Sequence, residues 1–252
     1  MTQTAKAGLV QKLPRTTQAE AIERLRTEWT QTERVILTRR SVRLYKKAQV
    51  PEFMVKRILE AGRFAPSAGN CQPWKFVVVR EPEIIDGMTE TVVGECRTLR
   101  QMLDYRRPGF VWLRPLAKAL IRLRHSDLHP APFGAICLIA DRRLSLYHGA
   151  PTVVFIFKDV RGVSCPELDC GIAGQNMVLA AHSMGLGTCW VGFAKLAFDR
   201  TDKWRKRLNI EYPYKFASSL AIGWPRGNPD GMIERQTHPV DWYENGTKTM
   251  CC

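Results

Sequence analysis

Apolar residues fall into two rhythms along this chain. Met54, Val55, Ile58, Leu59 and Gly62 recur at helical spacing and form one apolar face behind Pro51, a residue favoured at the first helical position. That helix must end before Pro66. Phe76-Val77-Val78-Val79 and the run Thr152 to Phe157 are instead continuously apolar, as in strands buried on both faces. A helix over about 31 to 39 precedes these elements. Another, over about 170 to 184, is dense in small residues (Gly171, Ala173, Gly174, Ala180, Ala181), with Asp169 as its expected N-cap and Gly185 as its stop. Small residues admit a second backbone closely, so this helix belongs at the centre or at a subunit interface. Strands at about 187 to 193 and 216 to 223, with a helix around 199 to 208 between them, complete the pattern. Helices and strands mix without strict βαβ alternation, which predicts an α+β fold.

Residues 1–30 read as a polar N-terminal extension, 31–240 as the main domain and 241–252 as a C-terminal tail. Segment 96–148 departs from its surroundings. Eight Lys/Arg between 97 and 124 interleave with Trp112 and several leucines, making a basic amphipathic insertion. It suits a substrate lid, a docking arm for an acidic partner, or a membrane-surface helix. Pro108, Gly109 and Pro115 interrupt any long helix there and place the membrane role last.

Charge narrows the partners. Lys+Arg 38 against Asp+Glu 24 gives +14, which attracts anions. No zinc-finger spacing, basic region with heptads or aromatic RNA-binding signature accompanies it, so nucleic acid is not expected. The eight cysteines include no C-x2-C pair, so no metal site is expected. The opening Met-Thr-Gln-Thr-Ala-Lys lacks an apolar signal region, and no apolar run reaches transmembrane length. The expectation is a reducing cytoplasm with free thiols. Cys251-Cys252 does not form a prenylation box.

Candidate chemistry concentrates in two segments. Arg39-Arg40-Ser41-Val42-Arg43 places three guanidiniums and a hydroxyl within five residues, a compact site for phosphate. Ala65-Pro66-Ser67-Ala68-Gly69-Asn70-Cys71-Gln72-Pro73-Trp74 is a polar turn entering a strand. A solvated basic helix end and an ordinary turn is the plainer reading of each. Together they suggest a phosphorylated cofactor lying on a rigid platform.

These two segments, with Asp169 through Gly185-Leu186-Gly187-Thr188-Cys189-Trp190-Val191-Gly192, and Ile222-Gly223-Trp224-Pro225 with Arg235 twelve residues beyond Gly223, resemble the flavin-dependent nitroreductase family. The resemblance frames 31 to 240 apart from the insertion. It implies a nitroreductase-like fold, a central mostly antiparallel sheet flanked by helices, in an intertwined homodimer with FMN at the interface. It further implies that Arg39, Arg40 and Ser41 hold the FMN phosphate and that Arg43 reaches the ribityl chain and the N1/O2 edge. Pro66, Ser67 and Asn70 would contact the flavin from the other subunit. Cys189, Trp190, Val191 and Gly192 would lie along the ring, and Arg235 would return to the phosphate. The implied donor is NAD(P)H and the implied acceptor a nitroaromatic, quinone or other small conjugated molecule. The basic insertion raises ferredoxin or flavodoxin as an alternative donor, and a non-catalytic binding module for anionic lipid or nucleic acid is the competing class.

Other candidates have plainer readings. His182 reads as a packed core histidine rather than a proton donor, Cys189 as a small apolar neighbour, and Asp169 as a cap rather than a base. Gly185-x-Gly187 is too short for a dinucleotide fingerprint.

Overall fold

The two continuous apolar runs become neighbouring strands. In the computed structural model, which describes residues 28–103, 130–163, 165–228, 240–244 and 247–251, β1 (Trp74–Val79) pairs antiparallel with β2 (Thr152–Asp159). β2 pairs with β4 (Tyr214–Gly223) and β4 with β3 (Gly187–Trp190), all antiparallel, in the order β1-β2-β4-β3. A register shift between Ile156 and Phe157 leaves Ala217 of β4 without an opposite residue. The α+β architecture expected from the sequence is the one observed.

Helices cover both faces. α1 (Gln31–Thr38) begins with a capping box, in which Thr30 Oγ accepts from Glu33 N–H at 3.2 Å and Glu33 accepts from Thr30 N–H at 2.7 Å. α2 (Glu52–Arg63) buries Met54, Val55, Ile58 and Gly62 against α5 (Pro166–Ser183), with Val154, Ile156, Leu220 and Ile222 supplying the sheet side. The opposite face carries α3 (Pro82–Leu103), α4 (Pro130–Ala140), α6 (Lys195–Arg200) and α7 (Lys203–Arg207). At its centre Phe155, Phe157, Phe198 and Phe216 pack with ring centroids 5.0 to 6.4 Å apart.

Several expectations are corrected. α5 starts at Pro166, not after Asp169, because a proline in the first turn forfeits only an N–H that is orphaned there anyway. Asp169 therefore lies inside the first turn, buried, and is not the cap. The expected helix at 199 to 208 is two helices, broken where Thr201 turns extended (φ −139°, ψ 143°). Both ends of segment 96–148 pack on the body, in keeping with an insertion inside the main domain. α3 runs into it to Leu103, Cys96 is fully buried, Arg97 donates to Ala140 O at 3.1 Å and Arg100 pairs with Asp141. Its centre, and the extension before residue 28, lie outside the described residues. The stripe Ile84, Ile85, Met88, Val92, Val93, Cys96 marks α3 in the sequence as well. The tail contains a hairpin of β5 (Val240–Glu244) and β6 (Thr247–Cys251). Asn245-Gly246, the two residues between them, are the dipeptide most favourable to a hairpin turn.

The small residues of α5 do admit close neighbours, and within the described chain these come from the same protomer. On α5 a Cβ on Gly174 would lie 2.1 Å from the Trp190 ring, whereas one on Gly171 would meet nothing within 4 Å; on the facing α2 a Cβ on Gly62 would lie 2.4 Å from Met177 Cε. Gly174→Ala must displace that indole and should cost about 1–3 kcal/mol, read as a lower urea midpoint at unchanged m-value.

Candidate active site

The arginine-rich segment leaves α1 at Arg39, where the backbone turns extended (φ −62°, ψ 133°), and then runs along the outer edge of β3. Ser41 bridges Thr188 in parallel sense and Val42 N–H donates to Thr188 O at 2.9 Å. Farther on the segment is tied to the exit of β4. Tyr45 bridges Pro225, Lys46 N–H donates to Trp224 O at 2.8 Å, and Arg226 N–H donates to Leu44 O at 2.9 Å. Two glycines opposite each other in the β3–β4 ladder make this possible. A Cβ on Gly187 would meet Val42 at 2.8 Å, and one on Gly223 would meet Pro151 at 2.8 Å and Tyr45 at 2.9 Å.

In an extended chain successive side chains point to opposite sides, so Arg39, Ser41 and Arg43 share one side and Arg40 takes the other. Electrostatics agree: Arg43 and Arg39 both act on Cys189, and Arg43 also acts on Tyr45 and His148. Burial nonetheless holds the Cys189 thiol above its ordinary value, so it is neutral, and burial likewise raises the Tyr45 phenol. Among the described residues no carboxylate forms an ion pair with Arg39, Arg40 or Arg43. A groove of about 260 Å³ opens between Arg40, Ser41, Arg43 and Leu44 on one side and Pro225, Arg226 and Asn228 on the other. Two cavities of about 400 Å³ each surround Asp202 and Arg205 instead, at the Tyr214 end of β4 and remote from this groove.

β3 presents its residues in alternation. Cys189 and Val191 pack into the phenylalanine core, whereas Trp190 packs on the α2–α5 side against Gly174. Their side chains therefore cannot all face one ligand. What this strand offers jointly is backbone. Thr188 O points outward to Val42 and Val191 N–H points inward to Ser219 O, so alternation turns the Trp190 amide groups outward, past the Ser41 bridge. Gly192 follows, exposed.

The loop of Pro66, Ser67 and Asn70 is strained. Gly69, Asn70 and Gln72 all have positive φ (57°, 55° and 48°), held by Gln72 N–H donating to Ser67 Oγ at 2.9 Å and Gln72 Nε2 donating to Asn70 Oδ1 at 3.1 Å. This loop is not beside the arginines. It enters β1 at Trp74, which lies opposite Lys158, itself opposite Lys215, whereas Ser41 sits at the level of Thr188 and Ile222. Seven residues of β4 separate the two levels, roughly 23 Å along the strand. The structure thus gathers Arg39, Arg40, Ser41, Arg43 and Cys189–Gly192 at one end of the sheet and leaves Pro66, Ser67 and Asn70 at the other. Arg235 lies outside the described residues.

Two further residues join the arginine end. Arg226 adds a guanidinium to the groove, and its signal in the sequence is only its place after Trp224-Pro225. His148, half-buried with φ 56°, lies within electrostatic reach of Arg43.

The profile of the Nitroreductase family matches residues 36–224, three quarters of the chain. The chain belongs to this family. Among its relatives is a protein of Archaeoglobus fulgidus provisionally named an NADH dehydrogenase/NAD(P)H nitroreductase, 30% identical over 197 residues, which cover 78% of this chain and 87% of the relative. The 5,6-dimethylbenzimidazole synthase of Rhodospirillum rubrum is 29% identical, covering 80% of this chain and 89% of that enzyme. Among solved structures, a nitroreductase with bound FMN from Desulfitobacterium hafniense superimposes with a TM-score of 0.62 at 23% identity, over 82% of this chain and 96% of that one. That likeness establishes the nitroreductase fold seen in the sheet order and helix layers here.

The electrostatics of this family member give a measurable sign. Burial first, and Arg43 second, hold the His148 imidazole below the ordinary histidine range. Arg43→Gln removes the nearby cation and should raise the His148 pKa, read by NMR titration of its ring protons. An unchanged value would show that the two groups are not coupled.

Proposed function

We propose that this protein is an FMN-dependent oxidoreductase that takes electrons from a reduced nicotinamide nucleotide and delivers them to a nitroaromatic, quinone or other small conjugated acceptor. One observation carries the reading: three guanidiniums held by a defined backbone on the edge of β3, with no carboxylate pairing any of them among the described residues. A structural cation would be paired; these suit an external dianion. The FMN bound by the Desulfitobacterium protein and the NAD(P)H in the name of the Archaeoglobus relative support cofactor and donor.

The residues fit FMN. Arg39 and Ser41, which share a side, would hold its phosphate, with Arg40 approaching from the other side of the segment, and Arg235 would return to the same group. Arg43 lies next along the same side and would place positive charge toward the N1/O2 edge, which favours a reduced flavin. The outward Trp190 amide and Gly192 offer backbone bonds to the ring edge, while Cys189 and Val191 keep β3 rigid from behind. FMN, when bound, supplies the two-electron redox chemistry, so the chain needs no acid–base triad of its own.

A second copy of the chain completes the site in this reading. Pro66, Ser67 and Asn70 lie too far from Arg39–Arg43 within one protomer to touch the same mononucleotide, so they serve the flavin of a partner. Exposed apolar side chains support the dimer: Ile36, Leu37, Phe53 and Phe64 all face solvent in the single chain, Phe64 at 79%. Donor and acceptor then use one open face of the site in turn, a ping-pong scheme.

The purified protein should show flavin absorption bands, and a colourless protein that cannot be reconstituted with FMN would favour the non-catalytic binding module. Arg39→Ala should weaken FMN binding by about one to two decades, the value of a charged hydrogen bond. Turnover with NADPH and a quinone should give parallel double-reciprocal lines; intersecting lines contradict the ping-pong scheme. Sedimentation at micromolar concentration should show a dimer, and a flavin-loaded monomer would refute the shared site.

A further inference from the structure

We infer that His182 is a positioning residue of the anion clamp, acting through Thr38; the inference rests on the FMN reading above and names a residue that does not itself face the ligand. Thr38 Oγ lies 2.6 Å from Arg34 O and 3.0 Å from His182 Nε2. A hydroxyl has one proton, and the short contact to the Arg34 carbonyl takes it. His182 Nε2 is therefore the donor to Thr38. The ring sits in the last turn of α5, half-buried, and bonds across 144 residues of sequence to the last residue of α1.

That contact occupies a critical place. Among the described residues of the single chain α1 has no buried residue, so polar contacts such as this one hold its C-terminal end. Immediately after Thr38 the backbone leaves the helix at Arg39, a position that itself takes part in a β-bridge, and the next hydrogen bond to the sheet among the described residues is Val42 N–H to Thr188 O. Arg39, Arg40 and Ser41 lie between two pins: the His182–Thr38 hydrogen bond upstream and the Val42–Thr188 bond downstream. With the upstream pin removed, the end of α1 loosens and the directions of the Arg39 and Arg40 side chains are less well set, while the sheet and its two cores stay intact. The effect should fall on recognition of phosphate and leave the rest of the ligand alone.

Riboflavin, which is FMN without its phosphate, separates the two. The parent dimer should bind FMN more tightly than riboflavin, as read by flavin fluorescence titration. His182→Ala should lose about three- to tenfold in FMN affinity, the worth of one net hydrogen bond, at unchanged riboflavin affinity. His182→Gln, which keeps an N–H donor, should recover most of that loss. Thr38→Val should match His182→Ala, and the double variant should lose no more than either single one. If His182→Ala and Thr38→Val both keep the parent's ratio of FMN to riboflavin affinity, the inference is overturned. Equal loss for both ligands marks general damage and overturns it too. A parent that binds the two flavins alike overturns the clamp reading itself, and this inference with it.

Discussion

The structure turns on how closely the segment from Arg39 to Tyr45 lies against the sheet. One backbone hydrogen bond, Val42 N–H to Thr188 O, and the absence of two β-carbons at Gly187 and Gly223 let an extended chain join the edge of β3 and cross the end of β4. Everything chemical at this end follows from that contact. It sets the alternation that sends Arg39 and Arg43 toward Cys189, and it ends soon enough to leave the outward amide of Trp190 uncovered. It also holds the arginines in place without an acidic partner among the described residues: their backbone is fixed.

Much of this was legible in the sequence, for reasons that are local. β1 and β2 announce themselves as unbroken apolar runs, α2 as a stripe behind Pro51, and the arginine cluster as a run of charge at a helix end. What was not legible depends on pairing across the fold. Nothing near Asp169 says that Pro166 will open the helix and bury the carboxylate. His148 and Arg226 are ordinary residues in the sequence and gain meaning only from the backbone that brings each beside Arg43 or Arg40. The side-chain alternation at Cys189 and Trp190 was implicit in the strand, yet reading the motif as a block conceals it.

The sheet also separates two kinds of order. At the arginine end the backbone is tied by main-chain bonds, and the side chains bring charge. At the Trp74 end the loop holds three positive-φ residues in four positions and is kept in shape by its own side chains. Strain of this sort persists only where surrounding contacts over-determine it. One protomer thus keeps a charged segment and a shaped loop at opposite ends of the same sheet.

The pairing of Ser41 with Thr188 also bears on how the protein is made. The bridge joins residues 147 positions apart, and β4, which supports β3, extends to Gly223. Contacts of such long sequence separation form late, because the loop they close must be ordered first. The arginine segment is among the earliest parts of the described chain to leave the ribosome, yet its place on the sheet cannot exist until almost the whole domain has followed. A nascent chain thus carries a concentrated cationic stretch with nothing to hold it in shape, and the site becomes competent in one late step rather than by gradual maturation.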